Sequence, residues 1–156
     1  PRTVMVQADE NITVKEFVQQ IETFSFSRIP IYANHKENIT GYVLKADVLV
    51  EAALDRHNVC LSEIKREIPM VFESMTVPSL FQYLLSKNYH MAIVVDEYGG
   101  VEGLATLEDV VETLTGIEIV DEKDTHVDYQ KLARELWEKR LKQNRHSLID
   151  PDLKKE

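Results

Sequence analysis

Thr106 and Asp109 lie three positions apart, where a segment of β type, Val101 to Thr106, gives way to a helical pattern from Leu107. A threonine hydroxyl at a helix start can face unpaired backbone amides, and such amides attract phosphate. A carboxylate one turn later can accept hydrogen bonds from the two hydroxyls of a ribose. Gly103 has no side chain and would let a flat base approach the strand. These residues therefore suit a nucleotide.

The same two residues also suit a helix cap. Thr-x-x-Asp at a helix start is close to a capping box, in which the N-cap contributes roughly 1 kcal/mol and binds no ligand. Taken alone, the four-residue segment from Thr106 to Asp109 favours the cap. The two alternatives are compatible, because a ligand can bind the amides that the cap leaves free.

An internal repeat places this motif at the end of a recurring unit. The segment RIPIYANHKENITGYVLKADVLVEAAL aligns without gaps on HMAIVVDEYGGVEGLATLEDVVETLTG, 62 positions later. In this alignment Gly41 falls on Gly103, and Asp47 falls on Asp109. Self-similarity at this spacing indicates two copies of one supersecondary unit, neither of which can bury its apolar face alone. We therefore expect the two copies to pack on each other.

Each copy is predicted to run strand, helix, strand, strand, helix. Apolar residues recur at helical spacing over 14–21 and 77–85, and Pro78 suits the first turn of a helix. Two β-type segments around a short polar turn predict a hairpin in each copy. The predicted leading strands are 4–6 and 70–72, and the predicted second helices are 47–54 and 107–114. The predicted divisions are 1–55 for repeat 1, 56–68 for a connector, 69–120 for repeat 2, and 121–156 for an acidic linker, an amphipathic helix and a polar tail.

Composition and charge exclude several classes of protein. The chain has 156 residues, a formal charge of -9 and one cysteine, Cys60. This charge argues against nucleic acid as a partner, and a polyphosphate ligand would need a local cation. A lone cysteine favours a reducing compartment such as the cytoplasm. Without an initiator Met or an apolar leader, the chain is expected to be a piece of a longer protein.

Paired units of this order, with Gly-hydrophobic-x-Thr-x-x-Asp entering the last helix, resemble a tandem CBS-domain pair, or Bateman module. More narrowly, SRIPIY and VVDEYGGVEGLATLEDVVETLTGIEIVDE are similar to the CBS region of the CorC/HlyC and cyclin-M (CNNM) membrane proteins, over about residues 1–125. The resemblance implies an α+β fold of two CBS repeats packed with pseudo-twofold symmetry, followed here by a C-terminal amphipathic helix. It also implies a homodimer through the CBS modules, and a membrane domain in the same full-length chain.

The resemblance further implies that each cleft combines the last-helix motif of one repeat with the first hairpin strand of the other. In the predicted nucleotide site Arg28 is the phosphate cation, while Phe26 and Pro30 are walls for the base. A surface ion pair is the alternative for Arg28. The full predicted site is Thr3, Val4, Phe26, Arg28, Ile29, Pro30, Leu104, Thr106 and Asp109.

The first repeat departs from the motif. Leu44 stands where the second repeat has Thr106, and an aliphatic side chain cannot bond a phosphate. The second cleft would retain the carboxylate of Asp47, combined with His90. We therefore expect one occupied cleft per chain.

The predicted function is regulatory and not enzymatic. As the resemblance implies, ATP or AMP, with Mg²⁺ carried by ATP, would bias an attached membrane domain toward or away from transport of magnesium or another divalent cation, at the cytoplasmic face of the cell membrane. The sequence shows no nucleophile with its base, and its 5 histidines have no paired spacing for a metal. Two alternatives stay open: a structural dimerisation module without a ligand, and an enzyme acting on nucleotides.

Overall fold

In the computed structural model of the chain, the described residues are 5–116 and Glu138. They form an α+β fold with six strands and four α-helices: β1 (Ala8–Asp9), α1 (Val14–Gln19), β2 (Arg28–Tyr32), β3 (Ile39–Leu44), α2 (Lys45–Ala53), β4 (Met70–Phe72), α3 (Val77–Lys87), β5 (Met91–Val95), β6 (Val101–Thr106) and α4 (Leu107–Thr115). The α+β class and the order strand, helix, strand, strand, helix are confirmed in both copies. Thr3, Val4 and most of the predicted C-terminal helix lie outside the described residues.

The strand that opens the first repeat lies later than predicted. The sequence placed it at 4–6, but Met5 and Val6 are not in a strand, and pairing occurs at Ala8–Asp9. Val6 instead packs on the core of this repeat, where Ala8 is buried. The Asp9 carboxylate accepts a hydrogen bond of 2.8 Å from the Asn11 amide, so the chain turns immediately after the strand.

The described residues divide into two compact units. The first unit comprises 5–75 and 91–105, and the second comprises 76–90 and 106–116. In the first unit, β1 pairs parallel with β2, and β2 pairs antiparallel with β3. A second sheet has the order β4-β5-β6, in which β4 is parallel to β5.

Two apolar clusters hold the first unit together. In the larger cluster, the Phe17 and Phe24 rings stack with centroids 4.5 Å apart, beside buried residues of β2, β3 and α2. The smaller cluster joins Ile39 of β3 to Ile93 and Val95 of β5, and so connects the two sheets. Burial of these side chains is the main contribution to the stability of the unit.

The second unit contains α3 and α4, which pack on each other. Thr76 caps α3, Pro78 lies in its first turn as predicted, and Asn88 ends it in the left-handed conformation. The Leu107 amide donates a 2.8 Å hydrogen bond to the His90 carbonyl, which fixes the start of α4. Among the helices of 5–116, none combines the length and the apolar character required to cross a bilayer.

Candidate functional site

The Thr106 and Asp109 motif forms a complete capping box at the start of α4. The Asp109 Oδ2 atom accepts hydrogen bonds from the Thr106 backbone amide (3.1 Å) and from the Thr106 hydroxyl (2.7 Å). In return, the Asp109 amide donates to the Thr106 Oγ1 atom at 3.2 Å. The cap that the sequence allowed is therefore present, and the ligand alternative depends on the groups that the cap leaves available.

Three groups at this helix start have different capacities for a ligand. Asp109 is exposed, and among the described residues its Oδ1 atom has no partner. The first-turn amide of Glu108 likewise has no acceptor within 5–116, whereas the Leu107 amide is bound to His90. The Thr106 hydroxyl proton is already donated to Asp109, so this hydroxyl would have to rotate before it could donate to a phosphate. Within the described part of the chain, one carboxylate oxygen and one amide therefore remain for an incoming polar group.

The strand before the motif is open at Gly103. A Cβ atom built at this glycine would meet no described atom within 4 Å. Its neighbour Leu104 and Met5, from the segment before β1, both pack against the apolar cluster of Ile39, Ile93 and Val95 within the first unit. This segment leads directly to the predicted contacts Thr3 and Val4, which lie outside the described residues.

The predicted residues around β2 differ strongly in exposure. Phe26, just before the strand, is 58% exposed, whereas Ile29 is 1% exposed and belongs to the core. Pro30 is buried as completely as Ile29. Because strands alternate side-chain directions, burial at two consecutive positions means that both faces of β2 are covered here. Neither Ile29 nor Pro30 therefore presents a surface to a ligand in this state, and the contacts predicted for both stay predictions.

Arg28 is half-buried and carries an unused donor. Its Nε atom is buried without a hydrogen-bond partner, one of two such side-chain atoms in the described part of the chain. The ion pairs described in this part do not include Arg28, so the alternative of a surface ion pair is not seen there. A buried donor without a partner costs free energy, on the order of 1–3 kcal/mol, which an anionic ligand would remove.

Asp47, predicted for the second cleft, is already bound. The Arg66 guanidinium donates to the Asp47 Oδ2 atom from Nη2 (2.7 Å) and from Nε (3.2 Å). These hydrogen bonds raise the pKa of Arg66, so the guanidinium stays charged. His90, the other residue predicted for this cleft, lies in the second unit and is half-buried. The sequence did not reveal Arg66, which fell in a segment without helical or strand periodicity.

Lys65, the neighbour of Arg66, is also bound. Its Nζ atom donates to the Glu10 Oε2 atom at 2.8 Å, and the Thr40 hydroxyl donates to the same oxygen at 2.5 Å. The hydrogen bond from Lys65 is the main reason that the pKa of Glu10 lies below its ordinary value. The connector is therefore attached to the first repeat at two adjacent residues.

Metal ligation finds no support in the described residues. No group of three or more histidine, cysteine, aspartate or glutamate side chains within 5–116 is arranged to hold an ion. The acidic residues near Asp109 therefore do not form a preassembled cation site in this part of the chain.

Comparison with known families and proteins agrees with the fold. Residues 61–116 match the family model of the CBS domain. The magnesium and cobalt efflux protein CorC of Escherichia coli (strain K12) is 35% identical over 139 residues, which cover 88% of this chain and 47% of that protein. The UPF0053 protein sll1254 of Synechocystis sp. is 37% identical over 92% of this chain and 41% of that protein. The chain thus spans less than half the length of these curated relatives.

Two solved structures bear on the ligand. The CBS domain of the bacterial CNNM/CorC family Mg²⁺ transporter in complex with ATP is 34% identical, with a TM-score of 0.69, and the alignment covers 76% of this chain and 84% of that chain. A CBS-domain pair with bound AMP from Klebsiella pneumoniae is 25% identical, with a TM-score of 0.60, over 74% of this chain and 93% of that chain. Both similar proteins carry an adenine nucleotide.

Proposed function

The chain belongs to the CBS domains of the CNNM/CorC family, and from this premise we propose that it is the nucleotide-binding regulatory part of a divalent cation transporter. ATP or AMP is the proposed ligand, and Mg²⁺ accompanies ATP. The proposed partners are a second copy of the chain, which forms a homodimer through the CBS modules, and a membrane domain in the same full-length protein. The module then works at the cytoplasmic face of the membrane, and the proposed boundaries of its two repeats are 1–55 and 69–120.

The observation that carries this proposal is the incomplete use of the Asp109 carboxylate. One of its oxygens holds the cap, and the exposed carboxylate retains a second oxygen that can accept hydrogen bonds from a ribose. The open backbone at Gly103 leaves room for a base. We assign the ribose to Asp109, the base to the strand at Gly103 and Leu104, and a phosphate to the Glu108 amide at the helix start.

Arg28 is the proposed cation for the phosphates. Its Nε atom is buried and has no hydrogen-bond partner within 5–116, which supports this role because a phosphate oxygen would accept from that donor. The chain carries a formal charge of -9, so a polyphosphate needs a local positive charge to bind. Magnesium carried by ATP would lower the same repulsion. We place Phe26, Ile29 and Pro30 around the base.

Regulation requires that the nucleotide favour one arrangement of the full-length protein over another. A ligand shifts a conformational equilibrium only by the difference between its affinities for the two states. We propose that nucleotide binding biases the membrane domain toward or away from transport of magnesium or another divalent cation. The proposed role is not catalytic, so ATP is expected to be recovered unchanged after incubation with the chain.

Calorimetric titration with ATP, ADP and AMP, each with and without Mg²⁺, tests the proposed function. We expect about one adenine nucleotide per chain, and weaker binding of GTP, whose base presents different hydrogen-bonding groups. A matched thermal-shift series should show stabilisation that rises with ligand concentration. Absence of both heat and thermal shift with every nucleotide would refute the proposal and favour a structural dimerisation module.

A further inference from the structure

Two connector residues, Lys65 and Arg66, cover a position in the first repeat that corresponds to the open strand of the second. A Cβ atom built at Gly41 would lie 2.6 Å from the Arg66 carbonyl oxygen and 3.4 Å from the Lys65 Cδ atom. Gly41 is the counterpart of Gly103 in the repeat alignment, and a Cβ atom built at Gly103 would meet no described atom within 4 Å. The first repeat therefore uses its glycine to accommodate its own chain.

Backbone pairing fixes Arg66 over this glycine. The Tyr42 amide donates to the Arg66 carbonyl at 3.0 Å, and the Arg66 amide donates to the Tyr42 carbonyl at 2.8 Å. This antiparallel bridge extends the sheet beyond β3 by one residue pair. The adjacent ion pair between Lys65 and Glu10 holds the connector on the same repeat.

The Arg66 side chain also contacts Asp47, which is the counterpart of Asp109 in the repeat alignment. Two nitrogens of its guanidinium lie 2.7 and 3.2 Å from the Asp47 Oδ2 atom. Asp47 corresponds to Asp109, whose partner among the described residues is the Thr106 cap. Both nitrogens contact the Oδ2 atom only, so a ribose approaching Asp47 would meet a charged guanidinium that Asp109 does not have among the described residues.

We propose that Lys65 and Arg66 are a built-in occupant of the first repeat, and that Arg66 limits the chain to one nucleotide. The Arg66 carbonyl takes the place of a base at Gly41, and its guanidinium takes the place of a ribose at Asp47. This inference rests on the proposed function, because the ligand positions are those assigned in the second repeat. The proposal names the residues that close the first repeat. The presence of Leu44, where the second repeat has Thr106, removes a phosphate contact but does not by itself close the site.

Leu44→Thr separates the two explanations for a single site. Leu44 is the N-cap of α2 and makes no side-chain hydrogen bond there, so a threonine should be tolerated and can cap the helix. The substitution restores Thr-x-x-Asp in the first repeat and leaves the connector in place. We expect calorimetry with AMP to give about one nucleotide per chain. Two nucleotides per chain would overturn the proposal, because Leu44 would then be the residue that closes the first repeat.

The double variant Leu44→Thr/Arg66→Pro opens the first repeat. Proline removes the guanidinium and one of the two backbone hydrogen bonds that hold the residue-66 carbonyl over Gly41, so the connector can leave the strand. We expect a second AMP per chain, bound at least tenfold more weakly than the first because the neighbouring Lys65 still packs at Gly41. A folded double variant that binds one AMP would overturn the proposal.

Hydrogen exchange in the unmodified chain gives a test that does not depend on this variant folding. We expect the Tyr42 amide to stay equally protected without AMP and at saturating AMP, because the connector remains in place. Loss of protection on binding would overturn the proposal, since the nucleotide would then displace the connector. If the chain binds no nucleotide, the proposed function fails on its own. The exchange rate of the Tyr42 amide then still reports whether the connector closes the first repeat. A protected amide supports closure by Lys65 and Arg66, and rapid exchange contradicts it.

Discussion

Asp109→Ala is expected to weaken binding of ATP or AMP by roughly ten- to a hundredfold, because a hydrogen bond to a charged group is worth about 1.5–3 kcal/mol. The substitution also removes the acceptor of the α4 cap. A loss of affinity therefore has to be separated from a loss of helix stability. Calorimetry and thermal unfolding of the same samples measure the two quantities.

The chain contains a matched control in the capping box of α1. Glu16 accepts hydrogen bonds from the Thr13 amide (2.7 Å) and the Thr13 hydroxyl (2.9 Å), and its own amide donates to the Thr13 Oγ1 atom (3.2 Å). These three contacts repeat those of Thr106 and Asp109. Glu16→Ala should therefore cause a similar small loss of stability without any change in nucleotide affinity. Equal affinity losses in Glu16→Ala and Asp109→Ala would show that Asp109 acts only as a cap.

Gly41→Ala is expected to lower the free energy of unfolding by about 2 kcal/mol, because the new methyl group collides with the Arg66 carbonyl and breaks two backbone hydrogen bonds of about 1 kcal/mol each. The colliding atom belongs to the backbone, so a side-chain rotation cannot relieve the contact. Chemical denaturation of the chain without nucleotide measures this loss.

Gly103→Ala is the matched variant in the second repeat, with the opposite expected result. Its methyl group meets no described atom within 4 Å, so the free energy of unfolding should stay within about 0.5 kcal/mol. Nucleotide affinity should fall by roughly tenfold or more, because the methyl group occupies the surface assigned to the base. An affinity loss at Gly41 with none at Gly103 would place the nucleotide in the first repeat and contradict the account.

Local patterns in the sequence predicted most of the fold. The spacing of apolar residues and the polar turns predicted β4 and β6 with the bounds that the structure shows, and Pro78 marked the start of α3. These features depend on neighbouring residues, which the sequence displays directly. The short strand at Ala8–Asp9 was placed too early, because its position depends on pairing with β2, which is distant in the chain.

The sequence predicted the motif residues of the candidate site, but it did not predict which other residues contact them. The repeat alignment identified Gly41 and Asp47 as counterparts of Gly103 and Asp109, yet it carried no information on what covers each pair. Arg66 reaches Asp47 from 19 positions later, through a contact without periodicity. The available signal was a basic pair, Lys65 and Arg66. It follows a repeat that keeps the aspartate of the motif but lacks the threonine, and it could have indicated a cation bound to Asp47.

Titration of the isotope-labelled chain with AMP, followed through its backbone amide resonances, tests the central claim most directly. The account predicts that the amides of Gly103, Thr106 and Glu108 shift together, with one common dissociation constant that agrees with calorimetry. It also predicts that the amides of Gly41 and Tyr42 keep their positions at saturation. Shifts confined to Gly41 and Tyr42, or no shifts at any of these amides, would contradict a nucleotide site at the second repeat.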